Sequence, residues 1–241
     1  MSEGRVRVNH RQRGIPPVPL LAVLSIVVAS GLVVASSDVG RAADDASTGG
    51  TETPGVLVFT PSQQEGPFYP VELPADRDAD LTLVDGADGP ATGEPLSLEG
   101  LLVTTDGAPV DGAVVEIWQT DHQGVYLHPG DPGIARRDEA FQGYGESVTD
   151  VSGAWSFRTI LPEIYSGRPR HIHAKVKVHG ETLLTTQIYF SGGDIPREGT
   201  VAVTDDATDA LTIEVLRDTD ADGEEVLQAR HLIVIAVPAG S

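Results

Sequence analysis

The chain has 241 residues and a formal net charge of −20, from 16 basic and 36 acidic side chains, and it contains no cysteine. The acidity argues against the basic footprint that nucleic-acid binding needs, and the missing cysteine excludes disulfides, iron–sulfur clusters and thiolate zinc sites. With 40 % hydrophobic residues, 27 glycines and 17 prolines, the composition is that of a turn-rich globular chain.

Residues 1–13 carry four arginines and one glutamate, and residues 20–35 (LLAVLSIVVASGLVVA) form an apolar run. A basic start, an apolar run and then small residues predict a secretory signal peptide over 1–37, with Ala35 and Ser37 preceding the cut. The run is shorter than the ~20 residues that span a bilayer. The alternative is an uncleaved anchor over 18–35. Either reading places the protein outside the cytoplasm, with that segment as its only membrane contact. Residues 38–55 are small, polar and glycine-rich, and read as a disordered linker.

From Val56 onward the pattern becomes globular, and residues 56–241 read as one domain. Short runs rich in valine, isoleucine and threonine predict strands at 97–105, 113–119, 145–149, 154–160, 171–179, 182–190, 210–216 and 231–237. No long segment carries a helical apolar period. The expected fold is all-β: an antiparallel β-sandwich with long loops. In GAPVDGAVVEIW (107–118) two turn signals precede an alternating strand, with Val115 and Ile117 on one face and Glu116 and Trp118 on the other. Such phrases also occur in sandwich modules without enzymatic activity. Residues 218–229 begin like a calcium loop, but the twelfth position is Ala229 instead of the required glutamate, so a solvated hairpin turn is expected.

The chemistry concentrates in RPRHIHAKVKV (168–178). On a strand His171 and His173 share a face, about 7 Å apart along the backbone, so both imidazoles can reach one metal ion. The chain's two lysines, Lys175 and Lys177, follow on the same face. With Arg168 and Arg170 they suggest a weakly basic pocket in an acidic shell. Tyr126 lies in the loop after the Trp118 strand. Tyr165 lies six residues before His171, in a segment turned by Pro162, Gly167 and Pro169. Each of these residues has an ordinary alternative: a surface or core histidine, or a tyrosine capping a core with its hydroxyl in water. Trp118 and Trp155 read as core, and His122 and His128 as surface. Tyr144 is either a pocket wall or the tyrosine of a glycine-flanked turn.

Taken together, QEGPFYP (64–70), PVDGAVVEIWQTDHQGVY (109–126), FQGYGESVTDVSGAWSFRTILPEIYSGRPRHIHAKV (141–176) and LLTTQIYF (183–190) resemble the intradiol ring-cleavage dioxygenases, the family of catechol and protocatechuate dioxygenases. The short exported members are the nearest in pattern. The resemblance implies a mononuclear Fe(III) centre held by Tyr126, Tyr165, His171 and His173. It also implies an active-site arginine at Arg168 and glutamine at Gln187, with Tyr165 as the ligand released when substrate binds. The implied reaction takes a small aromatic diol and O2 and opens the ring between the two hydroxyl-bearing carbons to a cis,cis-muconate-type diacid. A phenol has a pKa near ~10, so binding as phenolate requires a strong Lewis acid, and hard ferric iron suits oxygen donors. The alternatives are a non-catalytic β-sandwich binding or cell-surface module, and an enzyme of the same fold acting on a different aromatic diol. Loop 127–143 does not single out a substrate: its Arg136 and Arg137 can meet a substrate carboxylate or pair with Asp138 and Glu139. The resemblance does not extend to an oligomeric state.

Overall fold

A computed structural model describes residues 57–191, 209–219, 223 and 225–237. The expected signal peptide over 1–37 and linker over 38–55 lie outside the described residues, as do 220–222 and 224 of the acidic stretch. Nine strands are described: β1 (Pro95–Thr104), β2 (Val114–Trp118), β3 (Tyr144–Val148), β4 (Ala154–Ile160), β5 (His171–Val178), β6 (Glu181–Phe190), β7 (Thr212–Ile213), β8 (Val215–Thr219) and β9 (Glu225–Ile235). They form a four-stranded sheet in the order β4-β1-β9-β8 and a five-stranded sheet in the order β3-β2-β5-β6-β7.

The expected all-β sandwich is the architecture found. Alternation explains it: Leu96 and Leu98 of β1, Val115 and Ile117 of β2, Ile172, Ala174 and Val176 of β5, and Ala229 and Ile233 of β9 all enter one buried cluster. Full burial of each large aliphatic side chain contributes roughly 1.5–3 kcal/mol. Most strand pairs are antiparallel, but β1 runs parallel to β9 and β6 parallel to β7, so both sheets are mixed. The expected strand over 210–216 is two strands in different sheets, β7 and β8, with Glu214 between them. A short apolar run carries no mark of a change of sheet. The last strand begins at Glu225, six residues earlier than expected, because Glu225, Gln228 and Arg230 interrupt its apolar pattern. The hairpin turn expected over 218–229 is therefore narrower, with β8 and β9 pairing antiparallel on either side of it.

A second, aromatic cluster lies on the outer face of the five-stranded sheet: Phe68, Trp118, Tyr126 and Tyr144, with Tyr69 and Tyr165 packed against it. The segment 60–70 straps over this face. Thr60 N–H donates to Val234 O, while Val234 N–H donates to Thr60 Oγ1. Gln63 N–H then reaches Thr185 O, and Thr186 Oγ1 donates to Pro61 O at 2.7 Å.

Candidate metal centre

Strand parity brings the two histidines to the outer face of β5, opposite the inter-sheet core that receives Ile172. His171 Nε2 lies 3.2 Å from His173 Nε2, and Tyr126 Oη lies 3.1 Å from the first and 3.2 Å from the second. All three residues are buried. His171 Nδ1–H donates to Pro169 O at 2.7 Å, which fixes the tautomer and turns the Nε2 lone pair towards the cluster. His173 Nδ1, also buried, has no hydrogen-bond partner among the described residues.

Tyr126 is held by its loop. Asp121 Oδ1 accepts the N–H groups of Gln123 (2.8 Å) and Val125 (3.1 Å), and its Oδ2 accepts that of Asp138 (2.8 Å). Asp131 Oδ2 accepts Tyr126 N–H at 2.9 Å. Gly124 sits at φ 76° with Ile164 O only 2.5 Å from where a Cβ would stand, so a side chain there is excluded twice over. The loop bearing Tyr165 packs directly on the first: Thr120 Oγ1 donates to Glu163 O at 2.8 Å. Tyr165 then turns back through Ser166 (φ 46°) and Gly167 (φ 74°), with Arg168 N–H donating to Tyr165 O at 2.8 Å. Its ring stands 5.5 Å from that of Tyr126, edge to face, and it is half-exposed. Tyr165 thus packs on the ring of Tyr126, while Tyr126 Oη and the two Nε2 atoms converge beneath it.

The donors suit a cation. Burial holds His171 down to about 4 and His173 well below the usual imidazole value, so both imidazoles are neutral and each keeps one nitrogen lone pair. Burial pushes the Tyr126 phenol up, a shift that the Arg168 charge opposes. Without a cation the phenol therefore keeps its proton. The three converging donor atoms match a metal ion at the usual ~2.0–2.1 Å metal–nitrogen distance. Among the described residues no three histidine, cysteine, aspartate or glutamate side chains converge for a metal; the converging oxygen donor is a phenol, which favours a hard ion over a soft one.

Arg168 and Gln187 meet in the structure. Gln187 Oε1 accepts from Arg168 Nη2 (2.9 Å) and from Tyr189 Oη (2.8 Å), while Gln187 Nε2 donates to Gln64 O at 2.7 Å. Gln187 thereby ties the guanidinium to the strap. The expected basic pocket is not found in that form. Lys175 pairs with Glu65 at 2.7 Å, Lys177 pairs with Glu116, and Arg170 pairs with Glu163 at 3.1 Å. The reason is Glu116: strand β2 sets it on the outer face, 1 % exposed, where it accepts from Lys177 and from Tyr69 Oη at 2.8 Å. Arg168 alone of these four cations is directed into the site.

Several residues fall differently from their sequence reading. Tyr144 is a fully buried residue of β3 whose hydroxyl donates to Glu146 at 3.0 Å, so it backs the site without lining its mouth. His128, read as surface, stands edge-on to Phe68 at 5.4 Å, and His122 lies beside Asp138. Arg137 donates to Phe141 O at 2.9 Å instead of pairing with Asp138 or Glu139. Phe68 carried no expected role, yet it stacks on Tyr126 at 5.1 Å and meets Tyr165 edge-on at 5.1 Å. Tyr189 was also missed. Its place two residues after Gln187 on one strand is the parity signal that reveals it.

Comparison with known proteins accords with this geometry. A family model described as Dioxygenase matches residues 64–236. The chain is 34 % identical over 139 residues to the protocatechuate 3,4-dioxygenase beta chain of Burkholderia cepacia, covering 54 % of this chain and 58 % of that one. It is 31 % identical over 195 residues to catechol 1,2-dioxygenase of Acinetobacter baylyi, covering 70 % and 60 % respectively. The chain thus spans about three-fifths of the length of these curated relatives. Among solved structures, the dioxygenase domain of a dioxygenase–carbohydrate-binding fusion from Streptomyces sp. SirexAA-E superposes with a TM-score of 0.54 at 28 % identity, covering 75 % of this chain and 100 % of that one. Fold and relatives together define the class of protein. The chain belongs to the intradiol ring-cleavage dioxygenase family.

Proposed function

We propose that the chain is an exported ferric dioxygenase that converts a small aromatic diol and O2 into a cis,cis-muconate-type diacid. The observation that carries this reading is the convergence of Tyr126 Oη, His171 Nε2 and His173 Nε2 within 3.1–3.2 Å, with the partly exposed Tyr165 ring packed against Tyr126. Tyr126, Tyr165, His171 and His173 are the residues that hold the iron. When bound, ferric iron supplies the Lewis acidity that makes two phenols and a diol bind as oxyanions and activates the diol towards O2.

The chain's own residues supply the rest. Tyr165 is half-exposed and rests on a tight turn, so its Oη is the group able to swing away and accept one proton from the incoming diol. Arg168, held by Gln187, presents a fixed cation where negative charge gathers on the ring. Phe68 covers Tyr126 and keeps water from the floor of the site. Atoms balance as diol plus O2 giving diacid, with no external reductant. Export rests on the order of basic, apolar and small residues over 1–37.

The test is to express the protein with ample iron, record its visible spectrum, and add catechol, protocatechuate and hydroxyquinol separately in air. A red-brown protein that consumes one of these diols supports the proposal. A colourless, iron-free and inert protein favours a binding module on the same fold. A coloured protein inert to all three keeps the metal site and redirects the enzyme to another diol.

A further inference from the structure

The two imidazoles of the site are held in different ways. His171 is anchored by its Nδ1–H to Pro169 O, whereas His173 Nδ1 has no hydrogen-bond partner among the described residues. Histidine ligands ordinarily donate that second N–H to a carboxylate, carbonyl or water, which fixes the ring's rotation. Packing must do this for His173. The indole of Trp118 lies flat on its imidazole, with ring centres 4.7 Å apart and planes 10° from parallel. The strap's Gly66 abuts the ring's edge: a Cβ on Gly66 would stand 3.4 Å from His173 Cε1.

Trp118 is itself braced. Tyr69 meets it edge-on at 5.0 Å, and the Lys175 ammonium lies 5.5 Å from its ring centre and 3.5 Å from that of Tyr69. Glu65 pairs with that ammonium, and Glu116 accepts the Tyr69 hydroxyl. The indole N–H of Trp118 is buried, with no hydrogen-bond partner among the described residues. A buried tryptophan usually finds one, so the site uses the flat ring of this residue and not its donor.

We propose that Trp118 is the positioning residue for His173, its stacked indole taking the place of the missing hydrogen bond and setting the direction of the Nε2 lone pair. The proposal rests on the ferric reading for its consequence, iron retention, but not for its structural content. Replacing the indole by a smaller aromatic ring keeps a stacking face; replacing it by an aliphatic side chain frees the imidazole to rotate.

The experiment compares the wild type with Trp118→Phe and Trp118→Leu, and with Trp155→Phe as a tryptophan change in the inter-sheet core. In the iron-free proteins, NMR reads the ring C–H signals of His173, assigned by their loss in His173→Gln. The wild type is expected to give sharp signals displaced upfield by the indole ring current. Trp118→Phe should keep a smaller displacement, and Trp118→Leu should lose it with broadened lines, while the His171 signals stay sharp. In the iron-loaded proteins, transfer of iron to an excess of ferric chelator should speed up about ten- to hundredfold in Trp118→Leu, the usual cost of losing a ligand's support, less in Trp118→Phe, and not in Trp155→Phe. His173 signals in Trp118→Leu that stay as sharp and unmoved as in the wild type would overturn the proposal, as would iron release unchanged in a folded Trp118→Leu. A wild type that takes up no iron refutes the ferric reading, and the iron-free spectra still decide the role of Trp118.

Discussion

The buried His231 makes the sandwich acid-sensitive, by an amount that follows from its surroundings. It lies on β9 between Ala229 and Ile233, faces the inter-sheet core with them, and its Nε2 has no hydrogen-bond partner among the described residues. Burial alone holds its pKa down from 6.5 to about 4. The unfolded chain therefore takes up a proton below pH 6.5 that the folded protein refuses until pH 4. The neutral histidine's contribution is complete above 6.5 and is lost progressively as pH falls from there towards 4. Linkage puts the loss at about 2 kcal/mol between pH 7 and pH 5, and about 3 kcal/mol at pH 4. The assay is urea unfolding of iron-free wild type and His231→Leu at several values from pH 7 to 4.5. The leucine does not titrate, and every other group is common to both proteins. The stability difference should thus shift in favour of His231→Leu by about 2 kcal/mol on going to pH 5. A difference that stays constant across that range would refute the assignment of a neutral, core-buried imidazole.

Other substitutions probe the site and its frame. Tyr165→Phe should keep iron on the three floor residues, shift the visible band and slow turnover; unchanged colour and rate would remove Tyr165 from the site. His171→Ala and His173→Ala should each lose most of the iron, and full occupancy by metal analysis in either would reject it as a ligand. Gly100→Ala would set a Cβ 2.2 Å from the Trp155 ring and 2.4 Å from His231 O, where β1 meets β9. Part of that clash is with backbone, so the unfolding free energy from denaturant titration should fall by more than the ~1–3 kcal/mol usual for overpacking, whereas a value near wild type would mean the strands separate easily.

Period-two patterning reveals much of this protein before any coordinates. The parity of His171, Ile172 and His173 separates metal face from core, and the same parity places Glu116 and Trp118 on the outer face of β2. What it does not reveal is partnership across the sheet. Trp118 is opposite His173 and Glu116 opposite Lys175 because β2 pairs with β5 in one particular register. No local signal specifies that register, so the lysines looked available to a substrate when Glu65 and Glu116 already engage them. The strap was equally hidden. QEGPFYP has no apolar period, and Phe68 and Tyr69 gain their roles only when the chain crosses from β9 to β6. The parallel pairing of β1 with β9 joins distant parts of the sequence, and turn signals between neighbouring strands carry no information about it.

The central claim is intradiol ring opening at this site, and product identity tests it most directly. The iron-loaded protein is incubated in air with the diol it consumes, and the product is characterised by mass and proton NMR. The account predicts a conjugated diacid with the mass of the diol plus one O2 and no aldehyde proton, and no such product from His173→Ala. An aldehyde-bearing acid or a quinone from protein carrying its full iron would contradict it.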